Sequence, residues 1–217
     1  MINKSQMSKG FTLVEMLVVI AILAIVGTLI LNIFTRTLQG NNKAQIIGII
    51  KQNGQTILET MDKTIRNADH LICTGTSSDP NIGNATLVVI KDGVYTRFRF
   101  IEPQPSDNPT VNGFIDWESF NLPESPPPGT DPNLYVRDFD KIACNLPSTD
   151  ATKLIKLTDT NTQTGVSVVS LIFEKTPKAG FKNIVNVLFT LKAGVQAPAA
   201  IAGQIDPVDF QTTIQLR

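Results

Sequence analysis

The stretch Lys9-Gly10-Phe11-Thr12-Leu13-Val14-Glu15, continued by the apolar run 16–31, decides how the rest of the chain is organised. A polar leader holding Lys4 and Lys9 ends in Gly10, and from there to Thr35 the one charged residue is Glu15. A helix rises about 1.5 Å per residue, so roughly 20 apolar residues span the hydrocarbon core of a bilayer. Residues 11–35 have that length and contain no proline. With the lysines on the N-terminal side, the leader is expected to stay cytoplasmic and the C-terminal part to cross in a single pass.

Glu15 is the informative residue. An acidic group within a membrane segment costs about 2–3 kcal/mol or more near the bilayer centre, a cost normally offset by a partner. The run itself holds no basic residue. A cut after Gly10 would create an α-amine on Phe11, four residues from Glu15 and on the same helix face. The carboxylate could then pair with its own amine or with that of a neighbouring chain, and in a low dielectric an inter-chain pair can set the register between packed helices. An ordinary secretory signal would have its apolar region uninterrupted by glutamate and followed by small residues at a cleavage site, and Ala21-Ile22-Leu23-Ala24 is a poor match. A plain anchor on an unrelated periplasmic domain stays open.

The residues GFTLVEMLVVIAILAIVG at 10–27 resemble the class III signal of type IV pilins and type II secretion pseudopilins. The resemblance implies that a prepilin peptidase cuts after Gly10 and methylates the new N-terminal Phe11. It also implies that Glu15 guides assembly with other pilin or pseudopilin subunits into a helical filament. The protein would pass from the inner membrane to a periplasmic or extracellular filament.

Composition agrees with one membrane segment and one folded domain: 217 residues, 42% hydrophobic and 18% charged. Basic and acidic residues balance at 19 each, and loss of the leader would remove Lys4 and Lys9 and no acid. This is no electrostatic footprint for nucleic acid. The two cysteines, Cys73 and Cys144, could form a disulfide if the domain is exported. It would close a loop worth roughly 4 kcal/mol in the chain-entropy model. Two unpaired thiols are the alternative.

Beyond residue 35 the pattern predicts an amphipathic continuation of the helix over 36–70. Ile46, Ile47, Ile50, Ile57, Leu58, Met61, Ile65 and Ala68 recur at three- and four-residue steps. Gly40-Asn41-Asn42 is the expected place for a kink or local melting. Residues 69–83 read as an irregular link. Residues 86–90 and 94–101 read as a hairpin around Lys91-Asp92-Gly93, with Phe98 and Phe100 on the buried face and Arg97 and Arg99 on a solvated one. Eight prolines between 102 and 133 predict a long irregular insertion, pinned by Phe114, Ile115, Trp117 and Phe120. It would be a variable loop or a surface for a partner subunit. Strands are expected at 134–139, 153–157, 166–175, 183–192 and 209–217. The fold class is α+β: a long N-terminal helix packed on an antiparallel sheet domain at 71–217.

The strands VSVVSLIFE and NIVNVLFTL and the ending DFQTTIQLR resemble the end of J-type minor pseudopilins and related minor pilins. That likeness, over 153–217, implies a place near a filament tip. The proline-rich insertion departs from it.

Other sites are weak. Asp159, Asn161 and Gln163 alternate before Gly165 as in a loose calcium loop, without the glycine and glutamate positions of an EF-hand. Asp138 and Asp140 are similar weak candidates, and Asn84-Ala85-Thr86 matches a glycosylation acceptor. His70 is the only histidine and is expected to act as a cation at the helix C-terminus. No P-loop, dinucleotide fingerprint or hydrolase constellation is present, so no catalysis, cofactor or small-molecule substrate is expected. A structural filament subunit is the leading reading. A competence or adhesion pilin that binds DNA or a surface ligand is the alternative from another class.

Overall fold

The computed structural model describes residues 12–75, 85–105, 108–121, 143–144, 154–176, 183–198 and 203–217. Helix α1, Leu13–Arg66, runs through two separately compact units, residues 1–42 and 43–217. Strands β1 (His70–Gly75), β2 (Ala85–Lys91), β3 (Val94–Ile101), β4 (Phe114–Asn121) and β5 (Ile155–Lys156) form one antiparallel sheet in chain order. Strands β6 (Val166–Thr176), β7 (Ile184–Ala193) and β8 (Val208–Gln215) form a second antiparallel sheet.

In the first unit the helix exposes leucine, isoleucine and valine side chains on all sides. Its hydroxyls are satisfied internally. Thr28 Oγ1 donates to the Ile25 carbonyl at 2.8 Å, Thr35 Oγ1 to Leu31 at 2.8 Å and Thr37 Oγ1 to Ile33 at 2.9 Å. Such pairing leaves an apolar surface whose threonine hydroxyls are already bonded, which suits a lipid or protein surround. Gly40-Asn41-Asn42 remains helical, against the expected local melting.

In the second unit, Ile50, Gly54, Ile57, Met61 and Ile65 are the buried stripe of the helix, at steps of three and four. They share one core with Leu87 and Val89 of β2, Phe98 and Phe100 of β3, Ile115 of β4, Val168 and Leu171 of β6, Val187 and Phe189 of β7, and Ile214 of β8. Gly54 is needed for close approach: a methyl there would run into the Phe210 ring, which stacks on Phe189 with centroids 5.1 Å apart.

The helix stops at Arg66, short of the expected 70. Asp69 N already donates to the Ile90 carbonyl at 2.9 Å, so sheet pairing takes over from the helical ladder. His70 is therefore an exposed residue of β1 rather than a helix-terminal cation, and part of the presumed link is strand. The β2–β3 hairpin turns on Asp92 (φ 49°) and Gly93 (φ 80°), the two left-handed residues of a tight two-residue turn.

Two further expectations are corrected. The interval 102–133 is not irregular throughout, because Phe114–Asn121 is a full strand paired with β3 from Ile101↔Phe114 to Val94↔Asn121. The prolines lie outside those eight residues, and the alternation of Phe114, Asp116, Glu118 and Phe120 against Ile115, Trp117 and Ser119 is strand-like. Arg97 and Arg99 do not face solvent: both are at most 2% exposed, across from Glu118 and Asp116. Residues 134–139, Asp138 and Asp140 lie outside the described residues, as does Asn84. Its companion Thr86 is buried.

The sheets are joined where β4 begins. Asn112, fully buried, donates Nδ2 to the Asn161 carbonyl at 2.9 Å and accepts on Oδ1 from Val195 N at 2.8 Å. Gly113 N donates to Ser167 Oγ at 3.0 Å, and Val168 N to the Gly113 carbonyl at 2.9 Å. Asn112 thereby ties three segments distant in sequence, a role its lone place among prolines did not announce.

Candidate assembly site and its surroundings

The N-terminus of α1 is closed by a reciprocal pair. Thr12 N and Thr12 Oγ1 both donate to Glu15 Oε2 at 3.0 Å, and Glu15 N donates to Thr12 Oγ1 at 3.2 Å. This is a capping box, with threonine at the cap and glutamate three residues on. It satisfies two of the amides that a helix start leaves unbonded and sets a carboxylate at the positive end of the helix dipole. Glu15 therefore sits in the first helical turn, at the edge of the apolar run rather than in its middle. Thr12 is a further functional residue beside those expected, and the spacing T-x-x-E ahead of an apolar run is its signal in the sequence. Gly10 and Phe11 lie outside the described residues. From this cap onward the helix is long and apolar enough to cross a membrane.

A family model described as the prokaryotic N-terminal methylation motif matches residues 5–31. The match supports the type IV pilin and pseudopilin family. It spans the residues just ahead of the helix, the capping box and the start of the apolar helix, and that family's role is structural rather than enzymatic. Searches among curated proteins and among solved structures each returned no match. The pilin-like architecture of one long N-terminal helix followed by antiparallel sheets stands on the fold described above.

The outer face of the five-stranded sheet, turned away from α1, carries a second cluster. Register places Ile90, Tyr95 and Phe120 in one cross-strand row, Val88, Arg97 and Glu118 in the next, and Thr86, Arg99 and Asp116 in the third. Arg97 Nε donates to Glu118 Oε1 at 2.6 Å, and its Nη2 pairs with the same oxygen. Arg99 grips Asp116 through Nε–Oδ1 at 3.1 Å and Nη2–Oδ2 at 2.9 Å. The Arg97 guanidinium lies 5.1 Å from the Phe120 ring centre, and Phe120 stacks on Tyr95. Burial pushes the Asp116 carboxyl up from its ordinary value against the opposing pull of Arg99, and burial pushes Arg97 down.

Cys73 of β1 is bonded to Cys144, with Cα atoms 6.1 Å apart. Cys144 and Ala143 are both buried against this outer face, and the Ala143 carbonyl accepts from Arg97 Nη1 at 3.1 Å.

The weak calcium candidates serve their own loop. Asp159 Oδ1 accepts from Asn161 N at 3.0 Å, and Asn161 Oδ1 accepts from Gln163 N at 2.9 Å and Thr164 N at 3.0 Å. Gly165 allows the close return of this loop, since a side chain there would strike the Asp159 and Asn161 backbone. Among the described residues no group of three or more histidine, cysteine, aspartate or glutamate side chains converges to hold a metal ion.

Proposed function

We propose that this chain is a minor pilin or pseudopilin, a non-catalytic subunit of a type IV pilus or type II secretion filament placed near its tip. A prepilin peptidase cuts after Gly10 and methylates Phe11. Residues 1–10 are the leader, 11–35 the membrane and assembly segment, and 71–217 the domain that selects partner subunits. The subunit starts in the inner membrane with its N-terminus cytoplasmic, then moves to a periplasmic or extracellular filament.

One observation carries the reading: a methylation motif coincides with an exposed apolar helix whose first turn presents Glu15. An exposed apolar surface of that extent needs lipid or other helices around it. The likeness of residues 153–217 to J-type minor subunits supports the tip position. Intact mass and N-terminal sequencing after co-expression with a prepilin peptidase test the reading. A methylated Phe11 terminus is expected. An intact Met1 terminus, with a control substrate processed, would leave an ordinary anchored β domain.

A further inference from the structure

A cleft opens where the flank of α1 rises from the inner face of the five-stranded sheet. Ile57, Met61 and Ile65 of the helix are buried in the core. Thr60, Lys63 and Asn67, at steps of three and four, form the flank beside them. On the sheet side, Leu87 and Val89 of β2 belong to the core, and Lys91 follows at the next alternate position. Trp117 of β4 packs against the same core. The cleft between flank and sheet measures about 390 Å³, within the range of ligand sites. Its apolar base is the buried Val89 and the half-buried Trp117, and its exposed cations are Lys63 and Lys91.

Those two cations are uncommitted. Among the described residues neither lysine forms an ion pair. Neighbouring acids are engaged elsewhere: Asp62 holds Arg66, and Asp69 Oδ2 accepts from Asp92 N at 2.9 Å. Two of the lining hydroxyls are also engaged. Thr60 Oγ1 donates to the Thr56 carbonyl at 2.8 Å, and Thr96 Oγ1 meets Ser119 Oγ at 3.3 Å. The charged groups left to meet a ligand are therefore two ammoniums over an apolar base. From Thr60 to Asn67 the flank is about 10 Å long. An extended chain covers that length in about three residues.

We infer that this cleft is a docking site for an extended acidic peptide of a partner protein. An apolar side chain of the peptide rests on Trp117 and Val89, between carboxylates held by Lys63 and Lys91. The elongated base selects a short stretch of chain, and the cations select its charge. The site gives the proposed partner selection a place, and it rests on that reading only for naming a filament subunit as the carrier of the peptide.

The test uses the full chain in a neutral detergent. Trp117 is the only tryptophan, so its indole N–H gives a single resonance in a nitrogen-labelled sample and reports on the cleft directly. The probe is the blocked tripeptide acetyl-Glu-Leu-Glu-amide, with acetyl-Gln-Leu-Gln-amide and 4-methylpentanoate as comparisons. The acidic peptide is expected to shift the Trp117 resonance saturably and to bind roughly 5-fold more tightly than the neutral one. Lys63→Gln/Lys91→Gln should leave the melting temperature unchanged and make the two peptides equal. An unmoved Trp117 resonance at millimolar acidic peptide would overturn the site. Equal binding of the two peptides by the native chain would overturn the charge selection. Equal binding of 4-methylpentanoate would overturn the peptide assignment in favour of a small carboxylate. An unprocessed Met1 terminus with intact peptide binding would count against the filament reading alone.

Discussion

Gly54 and Thr12 show how much a single residue decides here, and how differently each can be read. Thr12 is legible from spacing alone, because a threonine three residues ahead of a glutamate at a helix start has a known partner. Gly54 is not. In sequence it resembles Gly40 and Gly48, each a mild defect in a helix, and the Phe210 ring that requires it is more than 150 positions away. The two kinds of glycine separate in one experiment. Gly48 has open space around it, so Gly48→Ala should gain stability, by up to about 1 kcal/mol of helix propensity. Gly54→Ala receives the same gain and must displace an aromatic ring stacked on Phe189, an overpacking that costs about 1–3 kcal/mol. Denaturant midpoints should therefore move in opposite directions for the two variants. A Gly54→Ala protein as stable as the native one would show that Phe210 yields easily.

The strands separate into those that announce themselves and those that do not. β6, β7 and β8 alternate over eight or more residues without proline, and their pattern was readable within a residue or two. β4 was hidden because prolines surround it, and it became a strand because its apolar and acidic faces match those of β3. Arg97 and Arg99 misled for a related reason. Alternating arginines on a strand normally mean a wet face, and their burial depends on Glu118 and Asp116 arriving on a neighbour that was itself unrecognised. The ion-pair ladder makes a distinctive prediction. Asp116→Leu alone removes both close hydrogen bonds of buried Arg99 and leaves it only Glu118, 4.0 Å away, so it should cost about 3 kcal/mol, the low end for a broken buried pair. Adding Arg99→Met should restore most of that loss, because two apolar residues replace two charges that had each been stripped of water. Chemical denaturation of the three variants checks it. A double variant as unstable as the single one would mean that the pair contributes well beyond the cost of its own burial.

For the molecule as a whole, the division between residues 1–42 and 43–217 has a practical meaning. The second unit contains the buried helix stripe, both sheets and the disulfide, so it holds a complete core. A fragment of residues 43–217 should stay in solution without detergent and melt in one cooperative transition, as scanning calorimetry would show. A fragment that aggregates or melts without cooperativity would make the first unit part of the fold. The N-terminal segment was the most legible part of the chain because its constraints are local: length, charge sign and a fixed spacing. The joint at Asn112 was the least legible, because a buried amide that fastens three segments leaves no local trace. The capping box also bears on how subunits could meet. Every bond that Glu15 makes to its own helix start falls on Oε2, and among the described residues Oε1 accepts none. One carboxylate thus has a valence to spare: a neighbour's ammonium group could be taken up on Oε1 while Oε2 keeps the helix end closed. In the proposed filament, docking would then be an addition rather than an exchange, and undocking would leave the helix end closed.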